Sequence, residues 1–328
     1  MRYLGLRLAS GVAVVIGAVS LTFLLLHLAP GDPVERLLGP AVPEAQLVAQ
    51  RHALGLDRPL TTQYAAWIGH ALQNEWGTSI ATGRPVRSVI ARAWPFTAVL
   101  VVLSLVLSYG IGIAVGALQA LRGRSRLDTT LSVITVGLTA VPGYWLGLML
   151  VMVFTYELRW LPAFGAVGFD ADFLPAWGRV VDAMRHLALP LLTLTLIGAG
   201  GAARFARGAM LDVREAPFVQ AAFAKGLTPG RLARRHLLRN AAIPLITLLG
   251  LSLPAVFSGT VFVEAVFAWP GVGRVLVEAV QARDYPVVMA AATISAVLVV
   301  TGNLLADALL AVADPRLRTD HATLPGPA

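Results

Sequence analysis

Long apolar stretches, separated by short polar ones, dominate the chain. An α-helix rises 1.5 Å per residue, so about 20 mostly apolar residues cross the roughly 30 Å hydrocarbon core of a membrane. Stretches of that length predict six spanning helices, at about 9–29, 95–121, 130–156, 186–210, 240–263 and 287–312. Runs such as 96–107 are apolar on every face, whereas strands of a membrane β-barrel alternate in polarity. The pattern predicts an all-α membrane protein with about six transmembrane helices.

The composition agrees with a chain embedded in a lipid bilayer. Of the 328 residues, 57% are hydrophobic and 13% are charged, which is far from the balance of soluble domains. The net charge of +8 does not indicate a nucleic-acid partner, because the basic residues lie between apolar stretches rather than on one face or tail. The chain has no cysteine, which excludes a disulfide framework, a thiolate metal site and a cysteine nucleophile.

The distribution of basic residues predicts the orientation in the membrane. Arginine and lysine accumulate on the cytoplasmic side, so the N-terminus and the second and fourth connections should lie there and both termini should be cytoplasmic. These positions are Arg2 and Arg7, then Arg122, Arg124 and Arg126, then Arg204, Arg207, Arg214, Lys225, Arg231, Arg234, Arg235 and Arg239. The first apolar core is longer than the roughly 7 to 15 residues of a signal peptide, which favours an uncleaved first span.

The segment between the first two spans, about 30–93, carries its own helical signals. Pro43 and Glu44 are predicted to open a short helix that Gly55 stops. Thr61 or Thr62 is predicted to cap a second helix. That helix would place four apolar or aromatic residues on one side, namely Tyr64, Trp67, Ile68 and Leu72. Such helices suit packing on the membrane surface or the bundle, or contact with a soluble partner.

The stretch 215–239 contains the signals of two short cytoplasmic helices. Pro217 suits a first helical turn, and Gly226 supplies a backbone that ends the helix. Thr228 would cap the second helix. Apolar residues recur at helical spacing in the first helix, at Phe218, Val219, Ala222 and Phe223. They suit docking into a groove of another protein, while the arginines that follow equally suit a helix lying on anionic lipid.

This stretch resembles the EAA loop of binding-protein-dependent permeases, and it is similar above all to the dipeptide, oligopeptide and nickel branch. Gln220, Ala221 and Ala222 stand where Glu-Ala-Ala is usual. The resemblance extends over the whole chain in the family's order. It includes APGDP at 29–33, LGLDRPL at 54–60, GRPV at 83–86, RWLPAFG at 159–165, HLLRNAAIP at 236–244, VEAVFAWPGVGR at 263–274, RDYPVV at 283–288 and DPRLR at 314–318.

The resemblance implies the first permease of a type I ABC importer in a bacterial inner membrane, with a MetI-like bundle and a long external segment after the first helix. It implies three parts, 1–94, 95–314 with a coupling loop at about 212–240, and a cytoplasmic tail at 315–328. The implied partners are a homologous second permease, two cytoplasmic ATPase subunits that bind the ATP and magnesium, and an external substrate-binding protein. The pair of permeases would form the pathway for peptides or related small solutes.

The resemblance also implies which residues couple to the ATPase. They are Pro217, Phe218, Val219, Ala221, Ala222, Phe223, Lys225 and Gly226. Phe223 and Gln220 depart from the usual arginine and glutamate. Because groove burial depends mainly on the apolar residues, docking itself need not be lost.

No enzymatic motif is present. A phosphate-binding P-loop needs a Gly-Lys-Ser/Thr run, yet the only lysine, Lys225, lies between Ala224 and Gly226. There is no HExxH pair and no GxSxG elbow, and the histidines are scattered, at 27, 52, 70, 186, 236 and 321. We therefore expect no catalytic residue, no metal site and no cofactor in this chain.

The alternative is an ion-coupled secondary transporter or a channel. Such a protein needs ionisable residues within the membrane. Asn303 and Asp307, one helical turn apart in the last span, are the candidates. A structural role, in which Asp307 near the inner interface holds a neighbouring helix, is the favoured interpretation.

Overall fold

The computed structural model describes residues 2–31, 33–39, 42–123, 125–214, 216–217, 219 and 238–313. In these ranges the chain is almost entirely helical. The α-helices are α1 (Arg2–Leu28), α2 (Pro33–Leu38), α3 (Glu44–Ala53), α4 (Leu60–Leu72), α5 (Val86–Leu121), α6 (Arg126–Ala140), α7 (Gly143–Val151), α8 (Ala176–Arg214), α9 (Leu238–Val266), α10 (Val272–Ala282) and α11 (Tyr285–Ala313). A π-helical turn, Met152–Glu157, continues α7, and a 3₁₀ turn spans Ala171–Phe173.

Several of these helices are long and apolar enough to cross a membrane. Within the described residues, the helices that meet this criterion are Arg7–Leu28, Val86–Leu121, Ala176–Arg214 and Tyr285–Leu305. The bent pair formed by α6 and by α7 with its π-helical extension adds a fifth if it is one span. The 29-residue helix α9 covers the predicted span 240–263. The all-α membrane architecture is confirmed.

The third predicted span is broken, so the prediction of one continuous helix over 130–156 is wrong. Helix α6 ends where Val141 takes an extended conformation, with φ −80° and ψ 130°. Pro142 follows, and α7 begins at Gly143. The two parts meet at an angle of 103°. A residue before proline avoids the α-helical region, which explains where the break falls.

Proline does not break the other long helices. Pro95 lies inside the 36 residues of α5, and Pro190 lies inside the 39 residues of α8. At 1.5 Å per residue, α8 is about 58 Å long, nearly twice the hydrocarbon thickness. Arg204 and Arg207 therefore belong to this helix, which corrects their assignment to a connection.

The chain forms two compact units. The first comprises Met1–Ala98 with Ala268–Val300, and the second comprises Val99–Phe267 with Thr301–Ala328. The core of the first unit is formed by the start of α5 together with α10 and α11. Its buried members include Val86, Ile90, Ala93, Val272, Ala279, Val287, Val288, Ala290 and Ala291. The sequence boundaries predicted at 94 and 314 stay predictions.

In the first unit, the helices between the first two long ones form largely as predicted. Helix α3 follows Pro43, and the chain turns after it at Gly55, whose φ is +68°. The predicted cap of α4 is wrong, because the helix begins at Leu60 after Pro59 and has no side-chain cap. On α4, Tyr64 bonds Ser20 at 2.5 Å between the two oxygens. Leu72 does not share that packed face, since it is 83% exposed.

The RDYPVV motif forms hydrogen bonds with three other segments of the first unit. The guanidinium of Arg283 donates to the carbonyls of Ala29, Pro30 and Gly31, within the APGDP motif. The buried carboxylate of Asp284 accepts from the Ser79 hydroxyl and from the amides of Ile80 and Ala81. The Tyr285 hydroxyl donates to the carbonyl of Leu26 at 3.1 Å. Two motifs that lie about 250 residues apart are therefore in direct contact.

In the second unit, α5 and α8 pack closely through glycines. A Cβ atom at Gly112 would lie 2.5 Å from the Cβ of Ala202. One at Gly116 would lie 2.6 Å from the carbonyl oxygen of Ala203. Because small residues four apart let helix backbones approach each other, this pair of glycines sets the distance between the two helices.

Candidate functional site

The second unit contains a cavity of about 1220 Å³ that is partly open to the outside and lies between α5, α7, α8 and α9. Its lining is mostly apolar and includes exposed aromatic rings. These rings belong to Tyr144, Phe205 and Phe262. The volume exceeds the roughly 300 to 1,000 Å³ of ordinary small-molecule pockets. A membrane-spanning bundle with a cavity of this size has room for a small-molecule solute.

Hydroxyl groups provide much of the polar lining of this cavity. The Tyr109 hydroxyl on α5 and the Ser252 hydroxyl on α9 lie 2.7 Å apart. Ser252 also donates to the carbonyl of Leu248 at 2.8 Å, so Tyr109 is the donor in the first bond. Ser108, buried against α8, donates to the carbonyl of Thr195 at 3.2 Å. Side chains of α5 are thus hydrogen-bonded to both α8 and α9.

Two charged residues line the cavity, and both lie on α8. Arg204 and Asp212 are exposed there. Arg204 directly follows the uncharged run 187–203 and donates to the Thr139 hydroxyl on α6 at 3.2 Å. Neither charge has an ion-pair partner among the described residues. An ionisable residue beside a membrane cavity is a candidate contact for a passing solute.

The C-terminal part of α8 is hydrogen-bonded to the start of α6 and to the end of α5. Arg207 donates to both carboxylate oxygens of Asp128, at 2.7 Å and 2.8 Å. The Asp128 side chain is 5% exposed, so this pair is largely shielded from solvent. Arg214 donates to the carbonyl of Ala120 at 2.7 Å, at the end of α5. These bonds connect the segment leading into 215–239 to two other helices.

Most of the predicted coupling residues lie outside the described residues, namely Phe218, Ala221, Ala222, Phe223, Lys225 and Gly226. Of the remaining two, Pro217 is helical and exposed. Val219 is 2% exposed and packs in a cluster with Ala120, Met210 and Leu245. The side chain of Val219 is therefore covered by its own subunit.

The two polar residues singled out in the last span lie on α11. Asn303 is exposed, and Asp307 is half-buried and has an interaction partner. Neither lines the cavity. Among the residues that the structure describes, no three histidines, aspartates or glutamates are grouped as metal ligands.

The lining of the cavity was missed by sequence reasoning. Tyr109, Ser108 and Ser252 lie in apolar stretches whose periodicity identifies no polar face. Arg204 carried a usable signal, because it is an arginine within the predicted span 186–210. In the sequence analysis, Arg204 was instead assigned to the fourth, cytoplasmic connection.

Comparison with known proteins agrees with this architecture. Residues 112–319 match the family described as "Binding-protein-dependent transport system inner membrane component". Residues 1–101 match the N-terminal part described for such membrane components.

Relatives match over nearly the whole chain. The chain is 37% identical over 316 residues to the oligopeptide transport system permease protein AppB of Bacillus subtilis (strain 168), covering 96% of this chain and 98% of that protein. It is 35% identical over 332 residues to the di/tripeptide transport system permease protein DppB of Pseudomonas aeruginosa (strain UCBPP-PA14), covering 97% and 99%. It is 36% identical over 322 residues to the glutathione transport system permease protein GsiC of Salmonella typhimurium (strain LT2), covering 97% and 99%.

Among solved structures, an inward-facing form of the MetNI methionine ABC transporter shares the fold, with a TM-score of 0.55. It is 18% identical and covers 70% of this chain and 98% of the solved chain. The helical bundle, its cavity and these likenesses define a permease subunit of an ABC importer. The chain belongs to the family of binding-protein-dependent transport system inner membrane components, and it is a multi-pass inner membrane protein.

Proposed function

We propose that this chain is the first permease of a peptide importer and forms half of the pathway through the membrane. The observation that carries the proposal is the 1220 Å³ cavity in the second unit, which combines an apolar lining with hydroxyl groups and two charges. A peptide needs hydrogen-bonding partners for its backbone and charged partners for its ends. The names of the relatives, which specify oligopeptides, di- and tripeptides and glutathione, support the same class of solute.

The proposed assembly contains a homologous second permease, two cytoplasmic ATPase subunits and an external substrate-binding protein. The family's description as a binding-protein-dependent component supports the external partner. ATP and magnesium would be bound by the ATPase subunits, because this chain has no P-loop lysine. Both termini would be cytoplasmic, as the distribution of arginine predicts.

Coupling to the ATPase would occur through 212–240, with Pro217, Phe223, Lys225 and Gly226 in the docking segment. Movement of that segment would reach the bundle through Val219, which is buried against α8 and α9, and through the Arg207–Asp128 pair. The bundle is then a two-state element, and ATP and the loaded binding protein each favour one state through different contacts.

The test is ATP-dependent uptake of a labelled dipeptide into vesicles that carry the full complex. We expect Gly226→Asp to abolish uptake while the complex still assembles, because a charged side chain replaces the glycine that the sequence predicts at the end of the coupling helix. We expect Asp307→Asn to transport normally. Uptake that needs no ATPase and fails only in Asp307→Asn would instead identify an ion-coupled carrier.

A further inference from the structure

The two charged residues that line the cavity, Arg204 and Asp212, have opposite signs and lie at different positions along α8. They are eight residues apart, which is about 12 Å along the helix axis. An extended chain advances about 3.3 to 3.6 Å per residue, so this separation corresponds to three or four residues. The cavity therefore offers a cationic group and an anionic group at a spacing that a short peptide can cover.

The surroundings of Arg204 favour a carboxylate as its ligand. A guanidinium has five N–H donors, and within the described part of the chain Arg204 donates one hydrogen bond, to the Thr139 hydroxyl. The planar arrangement of these donors matches two oxygens of a carboxylate. The other lining residues of the cavity are mostly apolar and include Phe205 and Ile197, so fewer polar groups compete there for a carboxylate than in bulk water.

We propose that Arg204 binds the C-terminal carboxylate of the peptide as it crosses the membrane. The inference rests on the proposed function, because it assumes a peptide as the transported solute. Arg204 is then a specificity-determining residue within the permease itself, in addition to whatever selection the external binding protein makes. Asp212, farther along α8, faces the same space with the charge that suits the peptide ammonium group.

The experiment compares two solutes that differ only in this group. The complete complex, with its binding protein and ATPase subunits, is reconstituted in vesicles, and uptake of labelled trialanine is compared with uptake of trialanine amide. Each is supplied at a concentration that saturates the binding protein. The binding protein is the same in every sample. Its own preference between the two solutes therefore cancels when uptake by each variant is divided by uptake by the wild type.

We expect Arg204→Gln to lower trialanine uptake about tenfold, which corresponds to the loss of one charged hydrogen bond. Uptake of trialanine amide should change less than about twofold, because the amide has no carboxylate. Arg204→Lys should give trialanine uptake between that of Arg204→Gln and that of the wild type, because the positive charge remains while the planar pair of donors is lost. The matched control is Arg185→Gln. It removes an arginine on the same helix that also makes one hydrogen bond, to the carbonyl of Trp160 at 3.2 Å, and that lies outside the cavity lining.

Three results would overturn the proposal. Arg204→Gln could transport trialanine like the wild type, or it could lower uptake of acid and amide equally, which would indicate a structural or lipid contact. Arg204→Lys could behave like Arg204→Gln, which would exclude a role for the charge. Failure of the wild-type complex to take up trialanine is a separate result, since it would overturn the peptide assignment and with it this inference.

Discussion

Arg207 on α8 and Asp128 on α6 form a bidentate ion pair. Nε of Arg207 lies 2.7 Å from Oδ1 of Asp128, and Nη2 of Arg207 lies 2.8 Å from Oδ2. The carboxylate also belongs to the first turn of α6, whose start is capped by the Ser125 hydroxyl at 3.2 Å from the Asp128 amide. Asp128 therefore contributes to the beginning of α6 through its backbone amide and to the contact with α8 through its carboxylate. In the sequence, Arg207 precedes the segment 212–240, which is proposed to couple to the ATPase, by five residues.

Breaking this pair should lower stability. Asp128→Asn leaves Arg207 without its counter-charge, and removing one partner of a fully buried pair costs about 3 to 5 kcal/mol. Since the Arg207 side chain is 33% exposed, we expect about 2 kcal/mol. Thermal unfolding of the purified complex in nanodiscs measures this. A double-mutant cycle with Arg207→Gln should give a clear coupling energy, and additive effects would contradict the direct interaction.

The glycine contact between α5 and α8 should tolerate no side chain. A Cβ at Gly116 would lie 2.6 Å from the Ala203 carbonyl oxygen and 2.7 Å from the Cβ of Ala206. Gly116→Ala must therefore move one helix away from the other, at a cost of about 1 to 3 kcal/mol. Gly110→Ala is the matched control on the same helix, because a Cβ there meets no atom within 4 Å. Equal melting temperatures for the two variants would count against this packing.

The buried Val219 should transmit movement rather than contact the ATPase. Val219→Ala removes two methyl groups from a side chain that is 2% exposed, which costs about 1 to 2 kcal/mol of local packing. We expect ATP hydrolysis by the complex to persist while the number of peptides transported per ATP falls severalfold. Val133→Ala, the same change at a side chain that is 67% exposed on α6, should leave that ratio unchanged. Loss of hydrolysis together with uptake would place Val219 at the ATPase contact instead.

Asp284 should control the opening of the loop at 79–82. Its carboxylate accepts from the Ile80 amide at 3.0 Å and the Ala81 amide at 3.3 Å, and it is 3% exposed. Asp284→Ala leaves those amides without their acceptor, so hydrogen exchange at both should accelerate at least about tenfold. In Glu278→Ala, the loss of a bridge between exposed side chains should have little effect on exchange at these amides. Unchanged exchange in Asp284→Ala would rule out this role.

Some of the family motifs are explained by contacts that the sequence does not reveal. Arg283 and the carbonyl groups at 29–31 are neighbours in the fold although one lies near each end of the chain. Within the second unit, the amide of Gly165, the last residue of RWLPAFG, donates to the carbonyl of Phe267 in VEAVFAWPGVGR at 2.9 Å. The motifs were readable from the sequence, but their pairing was not.

The class of the protein follows from its amino-acid sequence. Apolar stretches long enough to span lipid, without the alternating polarity of barrel strands, predict helices, because a helix satisfies all its backbone hydrogen bonds within one segment. The presence of α5, α8, α9 and α11 and the position of α3 followed from this pattern and from turn residues such as Pro43 and Gly55. The order of the motifs indicated the family before any contact was known.

The bends of the helices and the residues that face the cavity depend instead on tertiary packing. Pro142 ends a helix whereas Pro95 and Pro190 lie inside helices, because the packing around each proline determines whether the freed backbone groups find partners. In spans that are apolar on all sides, hydrophobic periodicity distinguishes no lipid face from an interior face. Arg204, Tyr109 and Ser252 meet around one cavity because α5, α8 and α9 pack together, and that packing depends on shape complementarity across residues far apart in the chain.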